Sequence, residues 1–425
     1  MKSKRVVITG IGPLSSIGTG KENLWNGLLH GKPFVTSEKF YLNGDLWDEF
    51  PVQKIDNFDL NHFSIDKSSL DYITHWKEGE ESTDLSYLLA VVKLALDDAK
   101  LSYDYDSNNI GCIITHENAG LEQYFTKVIT LSHSMLNGKD KNIVEYAQYL
   151  HDKSIKSAYD MQTFMVLFHI MKVFQLHGFS LFLNNACASG LYAFENAAQI
   201  IKSGRCPAVV VAGADYPRIY KYLWFKSLNM YEFDGRMKPF DLNAKGIVFG
   251  DGGAGFILED YEHAQKRDAH IYAEYLGGGF TQEAWKAVFP SVGSEHYPNA
   301  IRDALKFSEC KEDEIDLICA HGAGNTVIDL YEAKAITKVF NNHVPVTAFK
   351  PYVGHNLGGN NLLETAILLM NMENDMILPV LNTTEINPKA KINVIKEMQN
   401  KQLQRVMKIC CAFAGFNGAA VFGKV

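Results

Sequence analysis

Short apolar runs of four to six residues recur along this chain, alternating with helical segments, and glycine-rich turns follow several of them. Arg5–Ile8, Ile110–Ile114, Phe182–Asn185, Ala208–Ala212, Ala254–Leu258, Ile271–Leu276, Ile315–Cys319, Val344–Ala348, Met407–Phe413 and Ala419–Phe422 read as strands. Leu85–Ala99, Met161–His177, Ala188–Ser203, Ala300–Phe307, Asp329–Phe340 and Leu362–Met372 read as helices, with apolar positions at three- and four-residue spacing. Strands that are apolar throughout belong in a sheet covered on both faces. The expected class is therefore α/β. The pattern resets near residue 260, which suggests similar units over 1–260 and 261–425.

Two stretches fall outside this rhythm. Residues 34–75 are polar and aromatic with little periodicity and read as irregular surface. Residues 125–159 are irregular too. They suit either a cover over a site or subunit interface, or a solvated excursion, and aromatic and Met residues over 125–170 fit a tunnel lining or ordinary core.

Composition narrows the class further. A 425-residue chain with 47% hydrophobic residues buries one large core or two fused halves. A net charge of -8 gives no large nucleic-acid footprint. The cysteines number seven, an odd count with no CxxC pair, which disfavours a disulfide framework or closed zinc site and fits a reducing, cytoplasmic setting. No apolar run reaches the length of a membrane span, and the broken N-terminal run is not a signal peptide. The opening TGIGPLSSIGTG lacks the glycine spacing of a dinucleotide fingerprint.

Chemistry concentrates in three turns. Cys187, in LFLNNACASGLYAFENAAQ, sits where a strand ends and a helix begins. Unpaired N–H groups and the helix dipole there favour a thiolate and can hold an oxyanion. The alternative is a buried core cysteine. His321 in AHGAG and His355 in GHNLGG each lie in a glycine-rich turn after an apolar run. Either histidine could be catalytic, structural or one of a metal pair, although no compact ligand set accompanies them. Lys350 fixes its loop through a carboxylate such as Glu332 or Glu364, or is an ordinary surface lysine. The terminal CCAFAGFNGAAVF lets backbone approach a substrate closely, or serves tight packing.

In order, RVVITGIGPLSSIG, NACASG, MKPFDLNAKGIVFGDGGAGFILED, AHGAGNTVIDLYE, KPYVGHNLGGNNLLE and CAFAGFNGAAVF resemble the motifs of thiolase-superfamily condensing enzymes. The chain is most similar to elongating β-ketoacyl-[acyl carrier protein] synthases, the type II fatty-acid and polyketide ketosynthases. The resemblance implies a five-layered αβαβα thiolase fold of two pseudo-symmetric halves. It implies Cys187 as acyl-accepting nucleophile and His321 and His355 as the pair that promotes decarboxylation. Lys350, linked to Glu332, would be the structural lysine, with Asp329 and Glu364 as organising acids. Phe413 would be the gate, and its N–H with that of Cys187 the oxyanion hole.

The implied reaction is decarboxylative Claisen condensation of an acyl primer on Cys187 with malonyl-[acyl carrier protein], giving 3-oxoacyl-[acyl carrier protein]. No metal or redox cofactor is implied; substrates ride on the carrier's phosphopantetheine. Implied partners are the acyl carrier protein and a second subunit, in a homodimer or a heterodimer with a chain-length factor. Alternatives on the same fold are an acyltransferase to an alcohol or amine, and a non-catalytic chain-length-factor-like partner. The sequence departs from the family pattern at Ala323, Gly324 and Asn325, at Gly359, Asn360 and Asn361, and at Asp251, Ala412, Ala414 and Phe416. These departures point to intact chemistry in a specialised lipid or polyketide pathway.

Overall fold

The computed structural model describes residues 4–42, 44–76, 83–101, 109–117, 162–291 and 293–425, with scattered residues between 128 and 152. The expected cover or interface at 125–159 lies largely outside the described residues.

The strands that organise the molecule are β1 (Val6–Ser15), β2 (Ile110–Thr115), β3 (Ser180–Leu183), β4 (Ala208–Asp215), β5 (Gly252–Asp260), β6 (Ala273–Gln282), β7 (Leu317–Cys319), β8 (Pro345–Thr347), β9 (Asn393–Val394), β10 (Arg405–Cys411) and β11 (Phe416–Gly423). They hydrogen-bond in the order β9-β8-β7-β10-β11-β6-β1-β5-β4-β2-β3. Outward from β1 on one side, β5 and β4 pair antiparallel, then β2 and β3 pair parallel. Outward from β6 on the other, β11 and β10 pair antiparallel, then β7 and β8 parallel. The two halves thus repeat one topology in one chain order, joined through Val7↔Glu274 and Ile8↔Ala273.

Helices complete five layers: α1 (Thr83–Ala99), α2 (Thr163–Phe174), α3 (Ser189–Lys202), α4 (Ile219–Ser227), α5 (His296–Phe307), α6 (Thr326–Phe340) and α7 (Asn360–Glu373). Helices α3 and α7 pack on each other and touch strands of both halves, forming the central layer. Helix α1 covers β1, β5 and β4 from outside; α5, with α6 against it, covers β6 and β11. A central helix has no solvated face, and α7 is buried from Asn360 to Met372. Its Leu362, Leu363, Ile367, Leu368 and Leu369 are fully buried, each contributing ~1.5–3 kcal/mol relative to exposure. Among the described residues no helix is long and apolar enough to cross a membrane.

Two readings need correction. Strand β1 does not stop at Ile8 but runs through the glycine-rich segment to Ser15. A Cβ on Gly10 or Gly12 would lie 2.4 Å from the carbonyl oxygen of Ala95 or Val91 on α1, so these glycines permit close helix–strand packing. Residues 34–75 are not irregular throughout. Thr36–Leu42 and Asp45–Gln53 form a hairpin whose inner strand pairs with Phe249–Gly250, and Lys67–Trp76 is a helix. The hairpin alternates too weakly to announce itself; Phe50 packs edge-on against Phe40 and Tyr231.

Candidate active site

The C-terminal ends of β3, β7 and β8 converge, and Cys187, His321 and His355 line one cavity with Phe225, Met230 and Phe413. Its volume is about 30 Å³, room for little more than a water molecule.

Cys187 is reached through a strained turn. Ala186 has φ +49°, a conformation costly for a residue with a Cβ. Ser189 braces it: its hydroxyl accepts from the Asn185 N–H at 2.8 Å and donates to the Ala186 carbonyl at 2.6 Å. Helix α3 begins two residues after the cysteine and has no side-chain N-cap. Asn361, at the start of α7, donates to the Cys187 carbonyl. Burial, and then the Glu117 carboxylate, push the thiol well above its usual range; the Lys350 and Lys221 charges oppose them. The resting nucleophile is a neutral thiol.

The sulfur lies 3.3 Å from Nε2 of His355. Nδ1 of that ring accepts the Leu357 N–H at 3.1 Å, so this hydrogen bond assigns the proton to Nε2. In His321, Nδ1 faces the Lys350 ammonium at 3.2 Å. An ammonium has no acceptor, so His321 also carries its proton on Nε2. The ring centroids are 5.9 Å apart and nearly perpendicular, at 82°. Burial, then the Lys350 charge, hold both imidazoles well below their usual value. Both are neutral N–H donors.

Behind the histidines lies a fully buried charge cluster. Lys350 pairs with Glu364 at 3.0 Å and donates to the His321 carbonyl. The other Glu364 oxygen takes Lys408 at 2.9 Å and the Asn360 amide at 2.8 Å. Lys408 also donates to the Ala320 and Ile409 carbonyls. Burial alone would lower its pKa, but Cys319 and Glu364 reverse this and raise it.

The expected link between Lys350 and Glu332 does not form. Glu332 instead accepts the backbone N–H groups of His321 (2.7 Å) and Gly322 (2.8 Å) and the Tyr297 hydroxyl (2.8 Å). It shapes the first histidine turn, while Glu364, one turn into α7, faces the lysine. Asp329 likewise serves backbone, accepting from Phe240 at 2.8 Å and Gly324 at 3.2 Å, and burial pushes its carboxyl up to about 8.

Phe413 follows β10. Its ring stacks on Phe225 at 5.4 Å and meets Trp224 edge-on at 5.3 Å. Of the departures, Ala323 and Ala412 line the cavity, whereas Asn325 caps α6 by accepting from Val327 and Ile328. Asp251 accepts from the Ile55 N–H and the Tyr87 hydroxyl, both at 3.3 Å, outside the cavity.

Three contributors were not singled out from sequence, Glu117, Lys221 and Lys408, and Asn361 was noted only as a departure from the family pattern. Lys408, a charge inside the apolar run RVMKICC, and Glu117, in the polar HE step after IGCIIT, carried the available signal. Glu117 Oε1 lies 4.0 Å from the cysteine sulfur, and its carboxylate pairs with Lys221 at 2.5 Å.

Comparison with known proteins identifies the family. Residues 3–264 match the family model for the beta-ketoacyl synthase N-terminal domain, and residues 272–384 the model for its C-terminal domain. Nodulation protein E of Rhizobium leguminosarum bv. trifolii is 28% identical over 99% of this chain and 100% of its own. The 3-oxoacyl-[acyl-carrier-protein] synthase 2 of Vibrio harveyi is 25% identical over 100% of both. The solved ishigamide ketosynthase/chain length factor superposes with TM-score 0.84 at 25% identity, covering 100% of both chains. A Xenorhabdus doucetiae ketosynthase in complex with its chain length factor gives TM-score 0.80 at 20% identity over 99% of this chain and 98% of that one, a likeness of fold. The five-layered architecture is the thiolase fold. With both family models matched in order along it, the chain belongs to the beta-ketoacyl synthase family of condensing enzymes.

Proposed function

We propose that the protein condenses an acyl group held on Cys187 with malonyl-[acyl carrier protein], releasing carbon dioxide and 3-oxoacyl-[acyl carrier protein]. The observation that carries this reading is the pair of neutral imidazoles, His321 and His355, each with its Nε2 proton assigned, beside the Cys187 sulfur. First, Cys187 attacks the primer thioester, and the backbone N–H groups of Cys187 and Phe413 take the oxyanion. The carrier's thiol leaves and the acyl group stays on sulfur. The malonyl thioester then loses carbon dioxide while the two Nε2–H groups hold its carbonyl oxygen as the enolate forms. The enolate carbon attacks the acyl-Cys187 carbonyl, the bond from that carbon to the cysteine sulfur breaks, and the departing thiolate takes a proton from solvent.

Neutral donors suit this step, because they stabilise the developing charge without surrendering their proton. Burial, and then the Lys350 charge, keep them neutral. The sequence of steps balances without a metal or redox cofactor. The closed cavity requires Phe413 to move before an acyl chain enters, which is its role as a gate. We assign acyl carrier protein as the donor and a homodimer or a ketosynthase–chain length factor pair as the working assembly. The solved ketosynthase–chain length factor complexes support the second arrangement. The departures at Ala323 and Ala412 support a pocket suited to a specialised pathway.

Intact-mass spectrometry tests this with a panel of acyl-carrier proteins, followed by malonyl-carrier protein. The expected result is an adduct on Cys187 that disappears as a product two carbons longer and carbon dioxide form. An adduct indifferent to malonyl-carrier protein, yet discharged to an alcohol or amine, would replace this reading with simple acyl transfer.

A further inference from the structure

The two histidines leave one step without a partner. Cys187 must lose its thiol proton, and the His355 nitrogen nearest the sulfur already carries one, because Nδ1 is engaged with the Leu357 N–H. Among the described residues, the other side chain in hydrogen-bonding range of the sulfur is Glu117, 4.0 Å away and 10% exposed. We propose that Glu117 is the proton acceptor for Cys187, and that Lys221 positions its carboxylate.

Topology independently marks the same residue. Strand β2 occupies in the first half the place that β7 occupies in the second. His321 stands two residues beyond Cys319, the end of β7, and Glu117 stands two residues beyond Thr115, the end of β2. Both turns deliver a proton-handling side chain to the neighbourhood of Cys187, one a donor and one an acceptor.

Burial raises the Glu117 carboxyl, Lys221 and His116 act against it, and Asp215 adds to it. Lys221 comes from α4 at 2.5 Å, Asp215 from the end of β4, His116 from the same turn, and Cys187 from the nucleophile turn. The Glu117 N–H donates to Asp215, and the Asn184 amide donates to the Glu117 carbonyl, so the backbone is held on both sides. The 4.0 Å separation is at the outer limit for sulfur and closes with a small side-chain adjustment; such catalytic contacts shorten when substrate binds.

This step rests on the reading that Cys187 accepts an acyl group. The S–H bond breaks and its proton passes to Glu117 Oε1. The sulfur electron pair attacks the thioester carbonyl carbon, the bond from that carbon to the carrier's sulfur breaks, and the departing thiolate takes the proton from Glu117. The products are acyl-Cys187, a free carrier thiol and a regenerated carboxylate.

Alkylation of Cys187 by iodoacetamide, read by peptide mapping across roughly pH 5.5 to 9, tests the proton transfer without an acyl donor. In the wild type, carboxylate and thiol share one proton, so the thiolate fraction and the rate should be flat through neutrality. In Glu117→Gln the proton must go to solvent, so the rate should climb about tenfold per pH unit and fall about 100-fold below wild type near pH 6. Glu117→Asp should keep the plateau at a lower rate. Lys221→Met, losing the ion pair, should move the acid edge of the plateau to higher pH. A wild-type profile that itself climbs tenfold per unit, or a Glu117→Gln variant that is unchanged or faster, would overturn the proposal. A flat wild-type profile without any acyl adduct would instead overturn the acyl-transfer reading and leave the shared proton standing.

Discussion

The two halves of the molecule place their chemistry at matching strand ends and fill those places with opposite charge. In the first half, the turn after β2 holds Glu117 and the turn after β3 leads to Cys187, with Asp215 close by. In the second, the turn after β7 holds His321 and the segment after β8 holds Lys350 and His355, with Lys408 behind. Each half adds a partner of opposite sign, Lys221 in one and Glu364 in the other. Burial comes first for all three reacting groups; the anionic side then adds to the rise of the thiol and the cationic side to the fall of the imidazoles, so they are neutral at rest. A repeated topology fixes where a side chain stands; the charges packed behind it decide whether it gives or takes a proton.

The largest effects should come from separating the halves chemically. Cys187→Ala should lower condensation by about 10⁴-fold or more while decarboxylation of malonyl-carrier protein persists. His321→Ala should do the reverse, slowing decarboxylation by about 10²–10³-fold and leaving the acyl adduct on Cys187 intact. Carbon dioxide release and intact mass, measured on both variants, check the division. Loss of both signals in either variant would break the comparison.

Lys408→Met attacks the cationic side from within. It strips one partner from Glu364 and leaves the Ala320 and Ile409 carbonyls without their donor. Breaking a buried ion pair costs about 3–5 kcal/mol, measurable as a fall in urea midpoint. A shift under 1 kcal/mol would show that Lys350 alone balances Glu364.

Lys408 also marks the limit of sequence reading. The apolar strands, the two central helices and the three turns with Cys187, His321 and His355 were legible, because a layer buried on both faces leaves unbroken apolar runs. The pairing of Lys350 was not. Glu332 and Glu364 are both acids on helices, and only the packing of α7 against the sheet turns the second toward the lysine. Glu117 escaped because its importance arises from Cys187, distant in sequence and adjacent only after β2 and β3 pair.

The depressed imidazoles give a pH test. The folded state keeps His355 neutral, while the unfolded chain takes up a proton as pH falls through about 6.5. Below that value the unfolded state binds more protons, so this group's contribution to stability is lost with acid, by up to ~1.4 kcal/mol per pH unit. Buried carboxyls such as Asp329, held at about 8, act in the opposite direction over the same range. The useful quantity is therefore wild type minus His355→Gln, which cancels them. That difference should shrink as pH drops from 6.5 to 5 and stay level above 7.5, followed by urea denaturation at each pH. A level difference throughout would mean that the ring takes up its proton over the same pH range folded and unfolded, so that neither burial nor the cationic side depresses it.

The smallest expected effect distinguishes the two helix starts. Helix α6, after the His321 turn, is capped by Asn325, whereas α3, after Cys187, has Ala188 at its N-cap and no side-chain cap. A capped helix spends its first N–H groups internally. At α3 the turn itself takes the Ala188 and Ser189 N–H groups, on the Asn185 and Ala186 carbonyls, and the N–H assigned to the oxyanion is that of Cys187, just before the helix. Asn325→Ala should therefore cost only ~1 kcal/mol in unfolding free energy and leave acylation of Cys187 unchanged. If it slowed acylation as strongly as it lowered stability, the start of α6 would be coupled to the nucleophile turn, and the two ends could not be treated as independent devices.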